Sequence, residues 1–342
     1  MTTAYVTHRR YADHTLHGHP ENASRLHAIW HRLEDACVLA DLTALEPMEA
    51  TQSQLEAVHQ RSYLDTLAEP RTRTVMLDHS DTYLLPESYQ IARLAAGGVI
   101  RAVDAVLHGE VDNGLAVIRP PGHHATPQWG MGFCILSNVA IATRYAQSAF
   151  GLERIMIVDY DVHHGNGTQD IFYDDPDVLF ISTHQYPFYP GTGALDETGI
   201  GAGEGYTINL PLSAGVSDAG YAQLYEEIVW PAARRFEPQL IMVSAGFDAH
   251  WADPLAMMSL TLSGYAHLSR ELVAMAAELC QGRVVFALEG GYNLDVLGNG
   301  VLNICYALLG CDEIADPLGS QQNNEPSVER LLSAVKQIHH LD

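Results

Sequence analysis

The sequence predicts an α/β fold: one domain over residues 1–342, built as three layers, with a mostly parallel central sheet between helices. Three observations carry this expectation. Short β-branched apolar runs alternate with longer stretches whose apolar residues recur every three or four positions. Four of the five runs are apolar throughout, as strands covered on both faces must be. Every run ends in a polar or glycine-rich motif, the pattern left when parallel strands deliver their carboxyl ends to one edge.

In chain order, a helix is predicted over Pro86 to His108 and a strand over Gly114 to Arg119, which runs into Pro120-Pro121-Gly122-His123-His124. A helix over Leu136 to Phe150 precedes the strand Arg154 to Asp159, whose mouth is Asp159-Tyr160-Asp161-Val162-His163-His164-Gly165-Asn166-Gly167. The strand Val178 to Thr183 leads to His184 and the turn-rich Pro187 to Gly193. A helix over Ala219 to Phe236 precedes the strand Gln239 to Ala245, which ends at Gly246-Phe247-Asp248. A helix over Ser263 to Gln281 precedes the strand Arg283 to Glu289, which ends at Gly290-Gly291-Tyr292. Gly319 to Pro326 reads as a polar loop, and Glu325 to Asp342 as a terminal helix or an assembly contact. A homo-oligomer stays open.

With 342 residues, 47% of them hydrophobic, the chain can bury a large core, and no linker or internal repeat divides it. Five cysteines without a Cys-x-x-Cys pair indicate neither a disulfide framework nor a thiolate zinc knuckle. A formal charge of -24 disfavours attachment to nucleic acid or anionic membranes and is compatible with cationic substrates. Met1 to Arg10 lacks the apolar stretch of a secretion signal, and no run is long enough to span a bilayer, so a cytoplasmic location is expected.

The chemistry starts at the mouth of the second strand. In an extended segment Asp159, Asp161 and His163 project to one side, and three polar groups there need a cation. Asp161, His163 and Asp248 supply two oxygens and one nitrogen, a set that suits Zn²⁺ or Fe²⁺ and leaves positions open for water and substrate. Asp248 alone reads equally as a helix cap, and Asp253-Pro254 reads as a turn. The attacking water needs a base, for which the His123-His124 pair is the candidate, with Asp159 and Asn166 as partners that fix the two rings differently. The ring paired with Asp is expected to be cationic, and the ring paired with Asn to be poised near neutrality. Tyr292, after Gly290-Gly291, can donate its hydroxyl to an oxyanion. Gly132-Phe133 and Phe188-Tyr189 offer aromatic walls for a linear apolar chain.

Together these motifs resemble the histone deacetylase family of zinc amidohydrolases, within the arginase-deacetylase fold. The matching pieces include His19-Pro20-Glu21 with Arg25-Leu26, Asp81-Thr82 with Pro86, and Arg119 to His124. They continue with Gly132-Phe133-Cys134, Asp159 to Thr168, Pro190 to Gly193, Gly246 to Asp248 and Glu289 to Tyr292. Asn166 and the Glu-Gly-Gly-Tyr ending are closer to class II and bacterial deacetylase-like amidohydrolases. The resemblance implies one zinc on Asp161, His163 and Asp248, His124 as general base and acid with His123 as its electrostatic partner, and Tyr292 at the transition state. It also implies a tunnel walled by Phe133 and Tyr189, with Gly132, Gly290 and Gly291 near the substrate. A structural K⁺ on Asp159, Ser182 and Thr183, with backbone oxygens of Asp161 and His163, and an acetate channel at Arg25 complete the carry-over.

The implied reaction is hydrolysis of acetyl or other short acyl groups from lysine side chains, in peptides or proteins, or from related small amines. Polyamine-selective relatives carry an acid directly after the Asp-Pro, where this chain has Leu255, and a long insertion that is missing here. Both absences favour acyl-lysine over acetylpolyamine, although Glu87, Asp78 or Asp81 can supply acid at the rim. A non-catalytic acyl-lysine binder ranks lower because the ligand, histidine and tyrosine set is complete. An arginase-like ureohydrolase would need two manganese ions, and the sequence supplies one full ligand set.

Overall fold

The computed structural model describes residues 1–77, 81–321 and 324–341. Among the described residues ten strands form: β1 (Thr3–Val6), β2 (Leu42–Leu45), β3 (Val75–Met76), β4 (Tyr83–Leu84), β5 (Asn113–Ala116), β6 (Ile155–Asp159), β7 (Val178–Gln185), β8 (Thr207–Leu212), β9 (Leu240–Ala245) and β10 (Val284–Leu288). β3 and β4 make a small antiparallel pair. The other eight form one sheet in the order β2-β1-β5-β10-β9-β6-β7-β8. Every neighbouring pair in it is parallel. The chain therefore brings the carboxyl ends of β5, β10, β9, β6 and β7 side by side, although they come from distant parts of the sequence.

The five predicted strands all form, within a few residues of their expected limits. β6, β9 and β10 are buried along their whole length, as their unbroken apolar runs require. Three strands of the sheet carry weaker signals. β1 and β2 have four residues each, and β2 is half exposed at the sheet edge. β8 contains Pro211, which an edge strand tolerates because the missing N–H faces away from its neighbour.

Helices cover both faces of the sheet. Ser88–Leu107 packs with Asn138–Phe150, while Leu294–Leu309 packs with Ser24–Asp35 and Leu262–Leu279. The predicted helix from Ala219 to Phe236 forms with a π-turn at Tyr225–Val229, just before Pro231, whose ring has no N–H to continue the ladder. Leu294–Leu309 was hidden by its internal glycines. A Cβ at Gly300 would collide with the ring of Phe247, so the glycine lets this helix close on the strand end that carries Asp248. Among the described residues, no helix is long and apolar enough to cross a membrane.

Candidate active site

β6 ends at Asp159, and the extended run expected to continue to His163 does not form. Carboxylates stitch the chain into a turn instead. Asp161 N–H donates to Asp159 Oδ1 (3.1 Å), His163 N–H to Asp161 Oδ1 (2.9 Å), and Val162 N–H to Asp248 Oδ1 (2.9 Å). Tyr160 turns into the core against Phe247 and Tyr265, which leaves its acidic neighbours facing the strand mouths.

This turn places His163 Nδ1 3.1 Å from Asp161 Oδ1 and 3.2 Å from Asp248 Oδ2. Ligand atoms held about 2.0–2.2 Å from a tetrahedral ion lie about 3.3–3.6 Å apart, so the three groups stand close to a metal-binding arrangement. Among the described residues, the buried Asp248 Oδ2 faces His163 Nδ1 and has no other polar partner. Burial, and then the charge of Asp161, raise the Asp248 carboxyl above its ordinary range. A cation relieves both the unused lone pair and the repulsion. A second buried group, His123, Cys134 and Glu289, also converges within 4.8 Å. Its capacity is spent: Glu289 Oε2 accepts the N–H groups of Gly122 (2.7 Å) and His123 (3.2 Å), and burial lifts the Cys134 thiol well above the usual range.

The two histidines of the Pro-Pro-Gly turn lie with ring centroids 4.0 Å apart and have different partners. His123 Nδ1 bonds Asp159 Oδ2 at 2.9 Å, and His124 Nδ1 bonds Asn166 Oδ1 at 2.7 Å. Burial alone would favour neutral His123, but the carboxylates of Asp159, Asp161 and Glu289 outweigh it and raise its pKa to about 10. Burial, followed by the neighbouring His123 and His163, pushes His124 well below the ordinary histidine range. The two rings are thus pushed in opposite directions, His123 toward the charged form and His124 toward the neutral one.

A slot of about 100 Å³ opens onto these rings, lined also by Asp81, Pro121, Gly132, Phe133, His163, Tyr189, Leu255, Gly290 and Tyr292. Phe133 meets the Tyr292 ring edge-on at 5.8 Å and Tyr189 meets His124 at 5.2 Å, while Phe188 stacks on His163 at 5.4 Å. Gly290 N–H donates to Asp161 Oδ2 (2.8 Å), and a side chain there would collide with Asp161 and Asp248. Gly291, which sits beside the slot, adopts φ +116. Of the acids considered for the rim, Asp81 lines the slot, Glu87 is exposed beside the helix Ser88–Leu107, and Asp78 lies outside the described residues.

Asp159 and Ser182 are register partners on β6 and β7, and Thr183 Oγ1 donates to the Asp159 carbonyl at 3.4 Å. The Ser182 hydroxyl is shared with His184 Nδ1 at 2.9 Å. Arg25 is buried behind Tyr292, 5.2 Å from its ring centroid, donating to the carbonyls of Gly291 (2.8 Å) and Glu289 (2.5 Å) and pairing with Glu21 (3.1 Å). Glu21 also pairs with Arg119. Two buried acids without an assigned role, Glu21 and Glu289, thus hold side chains and backbone together behind the site.

A model described as "Histone deacetylase domain" matches residues 19–308. A "Probable deacetylase" of Archaeoglobus fulgidus is 44% identical over 91% of this chain and 88% of its own. The chain belongs to the histone deacetylase family. "Histone deacetylase 10, chloroplastic" of Oryza sativa subsp. japonica is 40% identical, covering 96% of this chain and 79% of that one. The crystal structure of the HDA15 HD domain superposes with a TM-score of 0.91 at 38% identity, covering 99% of this chain and 96% of that one. The eight-stranded sheet is thus the arginase-deacetylase fold, and the protein is a hydrolase of the histone deacetylase family.

Proposed function

We propose that this histone deacetylase family member is a zinc-dependent deacylase that removes acetyl or other short acyl groups from lysine side chains or related amines. The observation that carries the reading is the convergence of Asp161, His163 and Asp248, with Asp248 Oδ2 facing only His163 Nδ1, beside a histidine whose burial disfavours its charged form. These three residues would hold the ion, which when bound supplies Lewis acidity toward a carbonyl oxygen and a water. A structural K⁺ at Asp159, Ser182 and Thr183 belongs to the same proposal, supported by their adjacency on β6 and β7.

The residues divide the proton work. His124, neutral and oriented through Nδ1 by Asn166, takes the proton of the attacking water and returns it to the departing amine. His123, held cationic by Asp159, keeps His124 from protonating early and balances the negative charge of the tetrahedral intermediate. Tyr292 donates its hydroxyl to the developing oxyanion; burial, above all, raises its pKa well above the usual value, so it stays a donor. Phe133 and Tyr189 enclose the aliphatic stem of the acylated side chain and exclude water.

The apolar mouth at Leu255 supports acyl-lysine as substrate, and Asp81 in the lining favours an acylated polyamine. Kinetics on an acetyl-lysine peptide, N-acetylputrescine and N8-acetylspermidine decide between them. The reading expects the highest kcat/KM on the peptide, with Leu255→Glu shifting preference toward the polyamines. Much higher kcat/KM on the polyamines with wild-type protein overturns it.

A further inference from the structure

Asp253 was read from the sequence as part of a turn, but the residue is only 6% exposed. A turn at the surface gives no reason to bury a charge. Its oxygens are spent on backbone: Oδ2 accepts Tyr292 N–H at 2.7 Å and Asn293 N–H at 3.2 Å, and Oδ1 accepts Leu255 N–H at 2.9 Å. Asn293 reciprocates by donating its side-chain amide to the Ala252 carbonyl at 3.0 Å.

The chain needs an acceptor at this point. Gly291, at φ +116, turns the backbone away from β10, and the helix Leu294–Leu309 begins only after Asn293 caps it. The N–H groups of Tyr292 and Asn293 fall between strand ladder and helix, where buried donors without a partner are costly. On the other side of the tyrosine, Gly290 N–H is held by Asp161 and the Gly291 carbonyl by Arg25. Asp253 is the remaining anchor, and it is shared with Leu255 at the mouth of the slot.

We propose that Asp253 is a positioning residue for the reaction: one carboxylate fixes the backbone of Tyr292, and so its hydroxyl, and ties the tyrosine to the mouth residue Leu255. The inference rests on the role of Tyr292 as oxyanion donor given above. It assigns to Asp253 no contact with the substrate. Its effect passes through the tyrosine, so it must vanish when the hydroxyl is absent.

The test is a double-mutant cycle on the full chain with an acetyl-lysine peptide, combining Asp253→Ala and the isosteric Asp253→Asn with Tyr292→Phe, and measuring metal content in each protein. A displacement on the order of 1 Å at a catalytic group costs about 10²-fold. Asp253→Ala is expected to lower kcat by about that factor with KM changing far less and metal content unchanged. Asp253→Asn, which keeps one acceptor oxygen, retains more kcat than the alanine variant and provides the comparison if the alanine variant fails to fold. In the Tyr292→Phe background either substitution leaves the residual rate within about twofold. Equal fold-losses in both backgrounds, or loss of the metal on substitution of Asp253, overturn the inference. An undiminished rate in Tyr292→Phe alone instead overturns the catalytic reading on which it rests.

Discussion

Two clusters of buried charge lie on either side of Tyr292, and they differ in sign: two guanidinium groups share one carboxylate behind it, and acids outnumber histidines in front. Behind the tyrosine, the Glu21 carboxylate sits between Arg25 and Arg119, and the remaining guanidinium donors reach the carbonyls of Tyr11, His14, Glu289 and Gly291. In front of it, Asp159, Asp161 and Asp248 share the space with His123 and His163, and one oxygen of Asp248 faces only His163 Nδ1. Burial of charge therefore does not by itself mark a reactive site. A cluster whose cations are all spent on a carboxylate and backbone carbonyls is a joint in the scaffold, whereas an acid-rich cluster with a spare lone pair is a seat for a cation.

The sharpest way to break this contrast is to mutate each cluster and read activity and stability separately. His124→Ala is expected to lower kcat/KM by about 10³-fold while the unfolding midpoint stays near wild type, because the ring does proton work rather than structural work. A loss of stability matching the loss of activity would erase the distinction. Glu21→Gln should do the reverse, costing about 3–5 kcal/mol of stability by leaving two buried guanidinium groups short of a counterion, as checked by denaturant unfolding.

The same residue sharpens the comparison through pH. Burial raises the Glu21 carboxyl, but Arg119 and Arg25 more than reverse this and hold it at about 2, against an ordinary 4.5. A depressed pKa means the folded state releases this proton more readily than the unfolded one. Its stabilisation is complete above about pH 4.5 and lost as the pH falls toward 2. Glu21→Gln should flatten that part of the stability curve. A smaller effect is expected in front of the tyrosine. Because His124 is held below the usual histidine pKa of about 6.5, the acid limb of kcat/KM should lie below that pH. Asn166→Asp favours the imidazolium and should move the limb upward by about one unit or more. An unmoved limb would mean that another group titrates there.

The acid-rich cluster was legible in the sequence because its members interrupt apolar strands: Asp161 and Asp248 stand out after Ile155–Val158 and Leu240–Ala245. The arginine-rich cluster was not. Glu21 and Arg119 are 98 residues apart, and nothing local at either position announces a partner. Asp253 escaped for a related reason, since its acceptors serve backbone N–H groups, which carry no residue identity. The central strands β6, β9 and β10 were visible as long apolar runs, while β1, β2 and β8 are shorter, exposed or interrupted by proline. The strand order, in which β9 and β10 insert between β6 and β5, comes from long-range pairing that local pattern does not encode.

The most direct measurement is metal titration of chelator-stripped protein, following acetyl-lysine peptide hydrolysis, ion stoichiometry and thermal stability together. One zinc per chain should restore activity and, at a hundredfold excess over Kd, add about 2.7 kcal/mol to stability. Asp248→Ala should show neither response. Full activity in metal-free protein, or a requirement for two ions per chain, would contradict the account.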